Sequence, residues 1–180
     1  MTATGHFWVF SNRVYEREVV QKACLQLQNM HDLDVNMLLF CCWSGMIHGE
    51  LTETLFDQAL QVSVVWRRHL VHPLRQARTW MKTDLALAGF NHDASYPALR
   101  EEIKAVELKA EKLQQLELER LIDRSSAADH DQSLAIVKNL KRYSYSQSLE
   151  LAPSVARLMA VLIEASVPDE NLETALIAIS

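Results

Sequence analysis

The fold is organised by one stretch, HDLDVNMLLFCCWSG, which runs from His31 to Gly45. Two aspartates and an asparagine lead directly into apolar residues that carry no charge. An aspartate just before an apolar helix is the expected N-cap, because its carboxylate accepts hydrogen bonds from the unpaired N–H groups of the first turn. The stretch therefore predicts a capped and buried helix near residues 35–44, at the centre of the protein.

The length of the apolar run separates a core helix from a membrane-spanning helix. The uncharged run from Met37 to Ile47 is about half of the roughly 20 residues that a spanning helix needs. The first ten residues, MTATGHFWVF, lack the basic and apolar segments of a secretory signal. Three cysteines form no CxxC pair and no even-numbered disulfide framework, which is typical of a reducing compartment. We therefore expect a cytoplasmic protein with no membrane partner.

The rest of the chain has a helical pattern. Only 4 glycines and 4 prolines interrupt 180 residues, which favours long helices with short connections. No alternating run typical of a strand outlasts four residues. We predict an all-α fold, an irregular bundle of about seven or eight helices. A helical core domain is expected over residues 1–124, and a C-terminal helical segment over residues 129–180, packed on the same domain.

One long, charged helix is predicted near residues 96–124. Its apolar stripe consists of Leu99, Ile103, Val106, Ala110 and Leu113, and glutamates and lysines crowd its outer face. About two heptads of regular spacing are short for an autonomous coiled coil. The helix is longer than its own domain needs, which suggests self-association or the binding of a partner helix.

A basic segment follows Trp66. Arg75, Arg78 and Lys82 are spaced i, i+3 and i+7, so they share one face of a helix that begins near Pro73. Arginines beside aromatic side chains can bind a phosphate, a carboxylate or an acidic partner helix. Alternatively, the face is solvated and pairs with the acidic residues of the long helix. The sequence leaves both interpretations open.

The start of the central helix is a second candidate site. Asp34 and Asn36 either cap that helix or present a carboxylate and an amide to a ligand. In the second case, an interhelical pocket would hold an anionic or lipid-like molecule. The expected polar groups of this pocket are Asp34, Asn36, Arg75 and Arg78, and its expected apolar lining is Trp43 and Trp66.

The familiar signatures of enzymes and of nucleic-acid binding are missing. The sequence contains no GxGxxG, P-loop, GxSxG, HExxH or ExxH motif, so we expect no cofactor, no metal site and no catalytic residue. Cys41 and Cys42 lie within the apolar helix, where burial raises a thiol pKa and favours packing over reactivity. A net charge of -5 provides no electrostatic attraction to nucleic acid.

These observations favour a non-enzymatic interaction or regulatory protein that acts through helix-mediated association with itself or with a protein partner. The alternative is a small-molecule-binding protein, or an enzyme, with a pocket between its helices.

Several segments resemble an uncharacterised family of small bacterial helical proteins, a domain of unknown function. The segments are FWVFSNRVY, CLQLQ followed by DVNMLLFCCW, Trp66 with the later Pro73-Leu74-Arg75, and VELKAEKLQQ. They extend over roughly residues 7–118. The resemblance implies a cytoplasmic, all-helical protein of this size, and it supplies no activity, cofactor or catalytic residue.

Overall fold

The computed structural model describes residues 5–87, 95–122, 130–167 and 170–180. All regular structure within these ranges is helical, which confirms the predicted all-α class. In chain order, the helices are α1 (His6–Tyr15), α2 (Glu18–His31), α3 (Val35–Ile47), α4 (Glu53–Trp66), α5 (His72–Leu87), α6 (Ser95–Glu119), α7 (Gln132–Ser146), α8 (Pro153–Ser166) and α9 (Leu172–Ile179).

Helix α3 is the centre of the fold, as predicted. Every residue from 36 to 45 is buried, and α3 contacts α1, α2, α4, α6, α7 and α8. Its most extensive partner is α7. A methyl group on Gly45 would lie 2.8 Å from the backbone nitrogen of Ile136, so the missing side chain allows the backbones of α3 and α7 to approach closely.

The core around α3 is aromatic and sulfur-rich. The ring of Phe7 stacks on that of Trp43, with the two centroids 5.1 Å apart. The free cysteines Cys24, Cys41 and Cys42 are all buried. Burial raises the pKa of Cys42 to about 12, so its side chain is a thiol that packs as a small hydrophobic group.

A π-helical turn, Arg67–Val71, joins α4 to α5. Pro73 follows as the second residue of α5. Proline lacks an N–H group, and its ring would clash with the carbonyl four residues earlier in a regular α-helix. The wider π-turn relieves this conflict, so the helix predicted to begin near Pro73 continues the path of α4 through a local widening.

Helix α6 corresponds to the predicted long charged helix, although it ends at Glu119 rather than near residue 124. After Arg120, two residues bond back in tighter turns, from Leu121 N to Leu118 O and from Ile122 N to Glu119 O, both at 3.1 Å. The boundary expected between residues 124 and 129 lies outside the described residues. Beyond it, α7 packs on α3, and α8 packs on α2 and α9. The division of the chain into two parts stays a prediction.

Within the four described ranges, no helix combines the length and the apolar character needed to cross a bilayer.

Candidate functional site

Parts of α1, α2, α3, the π-turn, α5 and α6 enclose a cavity of about 290 Å³. A larger cavity of about 490 Å³ lies beside α1, but only His6 and Arg13 among its seven lining residues are polar. None of those seven carries a buried polar side-chain atom that lacks a partner within the described structure. Two residues that line the smaller cavity, Ser11 and Gln115, carry such atoms, so this cavity is the better candidate for a binding site.

Asp34 caps α3, as predicted, and also connects α3 to other helices. Its Oδ1 accepts a hydrogen bond from the backbone N–H of Asn36 at 2.9 Å. Its Oδ2 accepts from the hydroxyl of Ser63 and from Nε2 of Gln114, both at 2.5 Å. Its backbone N–H donates to the hydroxyl oxygen of Tyr143 at 2.9 Å. The cap is therefore part of a buried network that ties α3 to α4, α6 and α7.

Three buried amides extend this network toward the cavity. Gln115 Nε2 donates to Asn36 Oδ1 at 2.8 Å, and Asn36 Nδ2 donates to Gln114 Oε1 at 2.7 Å. Gln114 Nε2 then donates to the carboxylate of Asp34. Because a carboxylate only accepts hydrogen bonds, it fixes the orientation of Gln114, and each amide fixes the next one. The far end of this amide chain is the carbonyl oxygen of Gln115.

The amide chain is open at that end. Gln115 is 3% exposed, and its Oε1 has no hydrogen-bond partner among the described residues. Ser11 is also 3% exposed, and its hydroxyl oxygen likewise has no hydrogen-bond partner among the described residues. Both residues line the 290 Å³ cavity. An unpaired buried polar group costs about 1–3 kcal/mol, so two of them in one wall indicate an unmet interaction at this cavity.

An ion cluster forms another part of the wall. Arg75 Nε lies 2.9 Å from Glu107 Oε1, and Arg75 NH2 lies 2.8 Å from Glu111 Oε1. Arg78 Nε lies 2.6 Å from Glu107 Oε2. Two of the three residues of the predicted basic face, Arg75 and Arg78, are thus paired with acidic residues of α6.

The two glutamates of the cluster have opposite pKa shifts. Burial acts to raise the pKa of Glu107, but the hydrogen bonds and positive charges of Arg78 and Arg75 outweigh it, so the net shift is downward. Burial raises the pKa of Glu111; Arg75 opposes this shift, while the negative charges of Glu107 and Asp34 add to it. The two carboxylates share Arg75 but differ in how well their charge is compensated.

The structure brings together four of the predicted site residues, Asp34, Asn36, Arg75 and Arg78, around one cavity. The expected aromatic lining is wrong. Trp43 is 2% exposed and does not line this cavity. It lies seven residues beyond Asn36, which places it about 10 Å farther along α3. Trp66 is half-buried at the end of α4 and does not line the cavity.

The aromatic side chains of the cavity are instead Trp8 and Tyr15 of α1. Lys82 is exposed and does not line the cavity. Sequence reasoning also missed Ser11, Gln114 and Gln115. The available signal was the pair of uncharged glutamines in the otherwise charged VELKAEKLQQ segment.

The fold and the site define an all-helical protein whose central helix begins in a buried polar network beside a cavity of about 290 Å³. The chain belongs to the DUF2390 family, described as a protein of unknown function, whose model matches residues 6–118. No curated protein and no solved structure matches the chain. Every residue that lines the cavity lies within the matched range, whereas α7, α8 and α9 lie beyond it.

Proposed function

We propose that this protein binds a small polar molecule in the cavity between α1, α3 and α6. The observation that carries the proposal is the pair of buried, unpartnered oxygens, Ser11 Oγ and Gln115 Oε1, on residues of one cavity wall. Native proteins pair most buried polar groups, so a ligand that supplies the missing partners would be stabilised by them.

The size of the cavity supports a metabolite-sized ligand. Small-molecule pockets measure roughly 300–1,000 Å³, and this one, at about 290 Å³, lies just below the lower limit of that range. Its wall combines the aromatic rings of Trp8 and Tyr15 with amides and charged groups. A few convergent polar groups beside aromatic surface are typical of sites that orient a small ligand.

The charges of the wall favour a neutral or zwitterionic ligand over the anionic or lipid-like one expected from sequence. Three carboxylates, those of Asp34, Glu107 and Glu111, line the same wall as four cationic side chains. Arg75 and Arg78 are held by the two glutamates, and Arg67 pairs with Asp32. An added anion would therefore compete with ion pairs that already exist.

We also propose that the protein works in the bacterial cytoplasm, which the three free cysteines and the family resemblance support. The proposal includes no catalytic step, since it rests on groups suited to recognition. Asp34, Asn36, Arg75 and Arg78 are proposed as wall and positioning residues, and Ser11 and Gln115 as ligand contacts.

Ligand-observed NMR tests the binding proposal. A library of polar metabolites is screened by saturation transfer against the wild-type protein, Gln115→Met and the matched exposed control Gln26→Met. We expect at least one compound whose signal is retained with Gln26→Met and lost with Gln115→Met. A screen without a hit, or hits that are indifferent to Gln115→Met, would overturn the proposal.

The exposed side of α6 supports a second function, self-association. Leu99, Val106 and Leu113 are each about half exposed, at 49%, 47% and 49%, and recur at seven-residue intervals. An antiparallel pairing of two copies centred on Val106 places Leu99 opposite Leu113. The same pairing places exposed Glu102 near Lys109 of the second copy, so apolar and charged positions both match.

Light scattering after size-exclusion chromatography tests this second function. We expect a dimer at tens of micromolar protein that Val106→Glu converts to a monomer. Val64→Glu, at a residue of α4 that is 51% exposed, serves as the control and should leave the dimer intact. A wild-type monomer at that concentration would contradict self-association.

A further inference from the structure

We infer that the ligand presents a hydrogen-bond donor, an N–H or O–H group, to the carbonyl oxygen of Gln115. This inference rests on the proposed function and adds the chemical class of the ligand: an amide, an amine or a hydroxyl compound. Ligands that offer only acceptors, such as ethers, esters and fully alkylated amides, are excluded from this position.

The amide chain has a fixed polarity. Asp34 lies at its inner end and accepts hydrogen bonds from the Asn36 backbone, from Ser63 and from Gln114. If Gln114 were turned around, its carbonyl oxygen would face Oδ2 of Asp34 at 2.5 Å, and two acceptors would repel each other. The carboxylate therefore excludes the reversed chain.

The fixed orientation of Gln114 determines the orientation of Asn36 and then of Gln115, which lines the cavity. With Gln114 fixed, its Oε1 accepts from Asn36, and Oδ1 of Asn36 must then accept from Gln115. The amide nitrogen of Gln115 donates to Asn36 within the network, and its carbonyl oxygen has no partner. An aspartate in the core thus determines that the cavity wall offers an acceptor.

A ligand reaches the carbonyl oxygen of Gln115 only after a local movement. Gln115 Oε1 is shielded from solvent in the unliganded protein, so binding includes a side-chain movement that uncovers it. An acceptor that is already desolvated gains more from a new hydrogen bond than one that must first release water. A site built on such an acceptor rejects an analogue that lacks the donor, because that analogue leaves the oxygen unpaired.

Matched probe pairs test the inference on the wild-type protein. The pairs are benzamide with N,N-dimethylbenzamide, phenol with anisole, and indole with 1-methylindole, each titrated by ligand-observed NMR. We expect the N–H or O–H member of each pair to bind at least about tenfold more tightly than the other member. In spectra of the protein, the same member should shift the ¹³Cδ resonance of Gln115. Equal binding within every pair would overturn the inference and leave the proposed function standing. If no probe and no metabolite binds, the proposed function itself fails.

Asp34→Asn separates hydrogen bonding from the bulk of the added methyl groups. Asparagine is a good N-cap, so α3 stays capped. Its amide can donate to Gln114 Oε1, after which Gln114 donates to Asn36, and Asn36 donates to Gln115 Oε1. The nitrogen of Gln115 then becomes the open end.

We expect the preference within each pair to fall by at least about tenfold in Asp34→Asn, or to reverse toward the acceptor-only member. An unchanged preference in a variant with a wild-type-like NMR spectrum would overturn the inference. Should the variant fail to fold, the ¹³Cδ shift of Gln115 in the wild-type protein decides alone: movement with phenol but not with anisole supports the inference, and any other pattern contradicts it.

Discussion

The two ends of α3 each hold a buried amide network, and the two networks differ in one respect. Near the C-terminal end, Asn139 of α7 accepts a hydrogen bond from the Leu51 N–H at 2.9 Å. It also donates to the carbonyls of Cys41 and Gly49, at 3.3 Å and 3.2 Å. This network is closed, because both its acceptor and its donor atoms are engaged within the protein. The network at the N-terminal end is open at Gln115.

The difference shows how a buried polar group can serve stability or recognition. In a closed network every donor and acceptor is paired within the protein. A substitution that removes these hydrogen bonds should therefore lower the free energy of unfolding. An open network keeps one acceptor unused at a cavity, which costs stability in the unliganded protein. The substitutions below test this distinction.

The largest effect is expected from Asn139→Ala. The change leaves Leu51 N–H and two carbonyls without their partner in a fully buried position, so we expect a loss of about 3 kcal/mol in the free energy of unfolding. The melting temperature should fall by about 6–12 °C. Denaturant unfolding measures the loss, with exposed Asn29→Ala as the control, expected within about 0.5 kcal/mol of wild type. A loss below 1 kcal/mol would show that the closed network does not stabilise the fold.

Glu107→Gln should follow, with a loss of about 2 kcal/mol at pH 7, because two arginines then face a neutral partner. The pKa of Glu107 is lowered in the folded protein, so the stability it contributes is present above its unfolded-state pKa of about 4.3. That contribution is lost as the pH falls through the lower folded pKa. Unfolding curves from pH 7 to pH 3 should therefore show wild type and variant converging on the acid side.

Glu111→Gln is the matched control for that prediction, one helical turn away and sharing Arg75. Its pKa is raised, so the folded protein favours the protonated form below this pKa and is penalised for the charge above it. We expect unchanged stability at pH 7, or a gain of about 0.5 kcal/mol. A loss as large as that of Glu107→Gln would mean that the two ion pairs are equivalent.

The smallest change in stability is expected from Gln115→Met, within about 0.5 kcal/mol of wild type. The substitution leaves Asn36 Oδ1 without its donor, but it also removes the unpartnered Oε1, and the two effects oppose each other. Thermal unfolding and probe binding are measured on the same sample, and binding should disappear. A destabilisation as large as that of Asn139→Ala would mean that Gln115 stabilises the fold, as Asn139 does in the closed network.

The central helix and its cap were predictable because an apolar run and a preceding aspartate are local signals. The pairing of Arg75 and Arg78 with α6 was one of two interpretations, since their spacing fixed a shared face but not its partner. The burial of Gln115 could not be predicted from the sequence, for a different reason. On a long charged helix, polar residues are expected to be solvated, and its burial depends on α1 and α3 packing against α6. Trp43 was assigned to the wrong cavity. Its apolar character does not determine which of two neighbouring cavities it lines, and it lines the larger one.

The buried cysteines described above have a practical consequence. Cys24, Cys41 and Cys42 have raised pKa values and are shielded from solvent, so thiol-reactive dyes should leave them unmodified in the folded protein. A cysteine introduced by Leu108→Cys, at a cavity-lining position that is 53% exposed, would then be the single labelling site. One fluorophore there would convert cavity occupancy into an optical signal while every native cysteine stays in place.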